Sequence, residues 1–372
     1  MRIGVPREIK DNEYRVGLTP SSVAELARGG HEILVEQSAG IGAGFADSAY
    51  QAAGASIVAG PDPIFENADL IVKVKEPLKF ERKKLRPDQT LFTYLHLAPN
   101  AELTRDLIDS GAHCIAYETV TSTSGRLPLL TPMSEVAGRL APQIGAHFLE
   151  KQTGGRGVLL AGVPGVPAAE VVILGTGVVG SHAAAIAVGM GANVIVVGRN
   201  LEALRRLDLK FGGAVRTIVS TRTAVAEVVR RADLLIGAVL SPGARTPILI
   251  TLDMLSTMKA GAVIVDVAID QGGCCESSRP TSHSDPVYVR EGIVHYCVPN
   301  MPGVVPRTST FALNNATLPF VHTIADKGWR RALSDDGHLR AGLQISGGKV
   351  TSEPVARAQG IAFTPVEAAL GL

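Results

Sequence analysis

Three glycines, Gly175, Gly177 and Gly180, spaced GxGxxG, narrow the folds open to this chain more than any other feature. They follow the apolar strand-like run EVVIL and open a helix-like segment rich in small residues, SHAAAIAVGMGA. The first glycine permits a tight turn and the second lets backbone approach a pyrophosphate. The third lets the helix pack closely on the strand, and the helix N-terminus faces the anion. Val178 and Val179, inside the fingerprint, count with the cofactor-binding positions. A strand-turn-helix of this kind belongs to a dinucleotide-binding βαβ unit, and its context separates it from an ordinary tight turn.

The flanking sequence agrees. After the fingerprint, the runs ANVIVVG, AVRTIV, DLLIGAV and AVIVDVA alternate with helical stretches, the rhythm of parallel βαβ units. The same rhythm fills the first third of the chain: RIGVP, HEILVE, DLIVKVK, TLFTYLHL and HCIAYE are strand-like. Between the first two, Pro20 suits a first helical turn, Val23, Leu26 and Ala27 share a face, and Gly29 and Gly30 stop the helix. A bridging helix is expected from Ser134 to about Gln152, after the turn residues Thr131 and Pro132 and before the glycine-rich run 153–157. Helices resume after Pro306. With 372 residues, more than one core holds, the fold class expected is α/β, with two Rossmann-like doubly wound domains and a cleft between them. The expected boundaries are 1–130 for the first segment of a substrate domain, 131–304 for the dinucleotide-binding domain, and 305–372 for a segment that returns to the first.

Composition excludes several classes. The chain is 46% hydrophobic and 19% charged, with 40 glycines and a net charge of +1, so neither disorder nor a nucleic-acid footprint is expected. No basic-then-apolar leader and no bilayer-length apolar run are evident, which points to a cytoplasmic protein with small-molecule partners. Cys114, Cys274, Cys275 and Cys297 read as reduced thiols. The nine histidines are scattered singly along the chain, so no metal is expected from ligand spacing.

The strand after the fingerprint should end, about 20 residues on, in an acidic residue that binds the adenosine ribose. Gly198 stands there instead, followed by Arg199 and Asn200. A carboxylate would repel a 2'-phosphate, whereas glycine leaves room and a guanidinium takes the phosphate through charge-assisted hydrogen bonds. The cofactor expected is therefore NADP or NAD, with NADP favoured.

The segments NEYRVGLTP, KVKEP, LFTYLHLA, PMSEVAGRLA, AGVPGV, DVAIDQGG and VPNMPGVVPRTST make the chain resemble bacterial alanine dehydrogenases, within the wider group that includes the NAD-binding subunit of proton-translocating transhydrogenase. The resemblance runs nearly end to end. It implies reversible oxidative deamination of L-alanine to pyruvate and ammonium, a two-domain subunit and assembly into a homohexamer. It also implies carboxylate binding by Arg15, carbonyl binding by Lys75 and catalysis by His96 and Asp270. Around the cofactor it places Ser134, the glycines, Ala238, Val239, Leu240, Ile269, Asn300 and Met301. Gly198-Arg199 departs from the acidic residue of NAD-dependent members.

The chemistry suits these types. Oxidising an amino acid to an iminium, hydrating it and collapsing the carbinolamine need two proton transfers, for which a histidine and an aspartate serve. Lys75, at a strand's C-terminal end, can stabilise charge on the oxygen. Its neighbour Lys73 has the same chemistry without the family match. Asp266 is the competitor of Asp270 and reads as bonded to nearby backbone. Cys274 and Cys275 read as bystanders, and Trp329 as a packing anchor. Two rival functions are a sister dehydrogenase for another small amino acid and a transhydrogenase-like subunit. A cofactor sensor would not need the four polar residues.

Overall fold

In a computed structural model of the protein, residues 1–239 and 246–372 are described; Leu240 lies outside them. The chain forms two units. Residues 1–133 and 303–372 make the first, and 134–302 the second.

The strands are β1 (Arg2–Val5), β2 (Glu32–Glu36), β3 (Ser56–Val58), β4 (Leu70–Val72), β5 (Thr90–Thr93), β6 (His113–Ala116), β7 (Glu170–Leu174), β8 (Asn193–Gly198), β9 (Val215–Val219), β10 (Leu234–Gly237), β11 (Val263–Asp266), β12 (Val287–Arg290), β13 (Ile293–Tyr296), β14 (Leu343–Ser346) and β15 (Lys349–Val350). The second unit's sheet runs β12-β13-β11-β10-β7-β8-β9. Leaving out the antiparallel edge strand β12, this is the doubly wound 3-2-1-4-5-6 order. The first unit repeats it: β3-β2-β1-β4-β5-β6, extended by antiparallel β14 and β15. Strands β4 and β10 are buried at every residue, because a parallel sheet covered on both faces needs no alternation. In each sheet the winding direction reverses between the first and fourth strands, and loops leaving their carboxyl ends border a crevice.

Local chemistry explains the helices. In Pro20–Arg28, Thr19 caps the N-terminus by accepting the Ser22 N–H, Pro20 fills the first turn, and Val23 and Leu26 are buried. The bridging helix starts earlier than the sequence suggests, spanning Thr131–Phe148. Pro132 belongs to its first turn, where a missing N–H costs nothing. Its end comes at Phe148, and a separate 3-10 turn covers Lys151–Thr153. Strand β4 also ends before Lys75, which lies in the segment beyond it. Pro306 opens a long helix to Lys327. Trp329 begins the next helix and stacks on His113 with centroids 3.8 Å apart. No helix among the described residues is long and apolar enough to cross a membrane.

Candidate functional site

In the second unit the loop after β7 and the loop after β10 meet at the reversal point. Gly175 has φ +123°, and a Cβ there would overlap the Ala238 carbonyl and approach the Val239 nitrogen to 3.2 Å. A Cβ on Gly180 would overlap the Gly175 carbonyl, whereas one on Gly177 would meet nothing. The outer glycines are therefore demanded by packing, while the middle one borders open space in front of the Val178–Gly189 helix. That cradle fits a pyrophosphate. The bridging helix packs against the same turn, since a Cβ on Gly138 would overlap the Val179 carbonyl. Ser134 lies one turn earlier on that helix.

At the end of β8, Gly198 is buried while Arg199 and Asn200 are exposed. Asn200 caps the following helix, accepting the Ala203 N–H at 3.0 Å. A Cβ on Gly198 would overlap Thr176 Cγ2 and lie 3.3 Å from Leu204 Cδ2. The absent carboxylate is thus matched by a threonine that occupies its space. No pattern in the sequence marked Thr176.

The loops after β11 and β13 complete this unit's site. Asp270 is exposed at the end of the 3-10 turn Val267–Gln271 and accepts the Asn300 N–H at 3.3 Å. Asn300 has φ +61°; Ile269, next to Asp270 in sequence, and Met301, next to Asn300, are both buried. Asp266 is a buried structural group: it accepts from the Ala268 and Cys274 amides and, at 2.6 Å, from the Ser278 hydroxyl. It clamps both ends of the loop that carries Asp270. Cys274 and Cys275 are buried, and Cys274's thiol is held above its ordinary range, chiefly by its neighbour Cys275 and by burial.

The first unit builds a different kind of site at its own reversal point. Arg15, in the loop after β1, is 2% exposed. Glu13 takes its Nε and Nη2 at 2.6 and 2.5 Å, and Nη1 reaches Met133 Sδ at 3.0 Å. Burial works against the guanidinium's charge, but Glu13 outweighs it and keeps the pKa above its ordinary value. Arg15 is therefore not a surface ion pair.

Beyond β4, the two lysines separate. Lys73 is wholly buried between Glu81 at 2.9 Å and Glu8 at 3.4 Å. Lys75 is partly exposed, and burial followed by the nearby Arg15 charge lowers its pKa. Its position is fixed from both sides. Glu8 accepts the Val74 and Lys75 amides at 2.6 and 3.2 Å, and Thr93 donates to the Lys75 carbonyl at 3.0 Å.

His96, beyond β5, has a left-handed backbone with φ +48°, unusual for a residue with a side chain. Glu118 supports it, taking the His96 amide at 2.7 Å and the Leu95 amide at 3.2 Å. The ring stacks on Tyr94, centroids 5.8 Å apart and planes within 4°. Tyr94 is anchored by its hydroxyl, which donates to the Leu129 carbonyl at 2.5 Å. Arg15, Lys75 and His96 thus share one end of one sheet. Glu13 and Tyr94, which help to hold them, lie inside the segments NEYRVGLTP and LFTYLHLA without being marked there, and no pattern marks Glu8 or Glu118.

Residues 4–137 match the family model described as alanine dehydrogenase/PNT, N-terminal domain, and 141–353 match its C-terminal domain. The chain is 56% identical to an alanine dehydrogenase of Halomonas elongata over 371 residues, covering 100% of both chains. It is 54% identical to that of Bacillus subtilis, covering 100% of this chain and 98% of the relative. Among solved structures, an L-alanine dehydrogenase superposes with a TM-score of 0.94 at 52% identity, covering 96% of this chain and 99% of the other. A transhydrogenase from Sinorhizobium meliloti superposes at 0.83 with 25% identity, covering 94% and 100%. The chain belongs to the alanine dehydrogenase/PNT family, whose nicotinamide-dependent chemistry the glycine cradle accommodates.

Proposed function

We propose that this protein is an L-alanine dehydrogenase, interconverting L-alanine with pyruvate and ammonium, and that it prefers NADP to NAD. The observation that carries the reading is the grouping of Arg15, Lys75 and His96 beyond the ends of β1, β4 and β5, in a chain alike end to end with alanine dehydrogenases. Arg15 holds the substrate carboxylate with its planar guanidinium. Lys75 donates to the oxygen at C2, where charge develops as water adds and leaves. His96 moves the proton between that water and the carbinolamine. Asp270 binds the ammonium or passes its proton on. NAD(P), when bound, supplies the hydride acceptor. Gly175, Gly177, Val178, Val179 and Gly180 hold its pyrophosphate, and Ser134, Val239, Ile269, Asn300 and Met301 surround the remainder.

The cofactor preference rests on the ribose end. Gly198 brings no carboxylate, and the exposed Arg199 and Asn200 offer donors to a 2'-phosphate. One charge-assisted contact of about 1.5–3 kcal/mol corresponds to roughly tenfold discrimination or more. Reversing it needs more than an acidic residue. Because Thr176 fills the space beside Gly198, Gly198→Asp requires Thr176→Ala alongside, together with Arg199→Ile.

The test follows cofactor absorbance with a panel of L-amino acids and 2-oxo acids, using NAD and NADP in parallel at low salt. Alanine and pyruvate should give the highest kcat/KM, and NADP should exceed NAD. A tenfold preference for NAD removes Arg199 from the site, and a different best substrate makes the protein a sister dehydrogenase. His96→Ala and Asp270→Ala should abolish turnover with cofactor binding retained. Near-normal rates in both would remove the catalytic assignment. Light scattering tests the homohexamer.

A further inference from the structure

Away from both sites, the fold gathers three metal-ligating side chains that sequence spacing could not reveal. His322 and Asp326 are one turn apart near the end of the Pro306–Lys327 helix, so they project from the same face. His31 follows the Gly29-Gly30 turn and leads into β2, 291 residues before His322 in the chain (322 − 31). The ligand atoms of all three lie within 4.8 Å of one another.

We infer that His31, His322 and Asp326 form a binding site for a divalent transition-metal ion, zinc being the type. Two imidazoles and one carboxylate suit Zn²⁺, Co²⁺ or Ni²⁺, whereas Mg²⁺ and Ca²⁺ select oxygen donors. Bonds of about 2.0–2.2 Å to a central ion need only small side-chain rotations to close the group. The less buried partners can make them: Asp326's side chain is 58% exposed and His322 is half-buried, while His31's is only 6% exposed and serves as the anchor. His31 already meets Asp326, Nε2 to Oδ1, at 2.9 Å, and its Nδ1 faces the Met1 nitrogen at 3.5 Å. A His31–Asp326 ion pair would account for that contact. It does not account for the second imidazole brought to the same carboxylate.

Water would fill the remaining positions from the side of the exposed Asp326. The ion would tie the end of the longest helix to the segment entering β2 and act as a staple within the first unit. By contrast, a second group of potential ligands among the described residues, Asp266, Cys274 and Cys275, is wholly buried. There the carboxylate is already taken up by Ser278 and two backbone amides.

Chelator-stripped full-length protein is titrated with Zn²⁺ by calorimetry, and its thermal melting is followed with and without the metal. One equivalent per chain should bind with a Kd of roughly 1–100 µM, and saturation should raise Tm by several degrees. His322→Gln and Asp326→Asn, both at accessible positions and checked by far-UV circular dichroism, should each weaken binding at least about tenfold and abolish the Tm rise. Millimolar Mg²⁺ should not compete. No zinc binding in that range, or binding and Tm shifts unchanged in both variants, overturns the site, and effective competition by Mg²⁺ overturns its chemistry.

Discussion

The two units share one winding order but are built from opposite materials where it reverses. In the second unit the reversal point is built from absence: Gly175 and Gly180 let backbone meet backbone, and Gly177 leaves an opening. In the first it is built from charge, with Arg15 on Glu13, Lys73 between Glu8 and Glu81, and amides on Glu8 and Glu118. A diphosphate is large, carries its own charge and is satisfied by amides and a helix end. A three-carbon substrate offers only a carboxylate and one oxygen, so the protein must position each donor separately. The cradle should therefore fail when a methyl group is added, and the charged site when a charge is removed.

Glu13→Gln tests the charged site hardest. It leaves the buried Arg15 without its counter-ion, and breaking a buried pair costs about 3–5 kcal/mol. Urea denaturation should register that loss, and pyruvate KM should rise. Unchanged stability would show that Arg15 is neutralised by other groups. Next, Gly180→Ala forces a methyl group into the Gly175 carbonyl, where both neighbours are backbone. Binding of NADPH, read from its fluorescence, should weaken about a hundredfold, near 2.7 kcal/mol, with pyruvate-site stability little affected. A loss under threefold would mean the turn can relax.

Glu118→Gln sharpens the contrast at smaller scale. It removes the charge but keeps one acceptor for two amides, so kcat should fall about tenfold, or 1.4 kcal/mol, with cofactor affinity intact. Loss of cofactor affinity instead would tie Glu118 to overall folding.

An effect of a different kind lies outside both sites. Burial, reinforced by the Arg330 charge, pushes His113 down from 6.5 to about 4. As pH falls between those values, the unfolded chain takes up a proton that the folded chain refuses, so stability declines with acid across this window. His113→Gln should flatten that part of the curve, and an unchanged slope assigns the acid sensitivity to other groups.

The sheets were readable wherever both faces are buried, because runs such as EVVIL and DLLIG announce themselves without a partner. Short or edge strands were not: β3 has three residues, and β12 is half-exposed with Arg290 at its end. The strand-like run DLIVKVK likewise reaches past the observed strand, since VKVK alternates like a strand while β4 ends at Val72, before Lys75. In the site, the residues proposed to meet a ligand are legible through motif and resemblance. Those that hold them are not. Glu8 reaches an amide 66 residues away and Glu118 one 22 residues away. Such carboxylate-to-backbone contacts leave no periodicity, just as the gap at Gly198 did not reveal the Thr176 methyl group that fills it.

His96's left-handed backbone has a consequence for how such a protein can change. A side chain in that conformation costs about 1–2 kcal/mol relative to the right-handed region, a cost that glycine escapes. The fold therefore carries a local debt at the residue assigned to proton transfer, and Glu118 offsets it. Variants chosen for heat resistance alone would drift toward glycine at position 96 and gain robustness while turnover disappears, so activity and durability pull in opposite directions at this one residue.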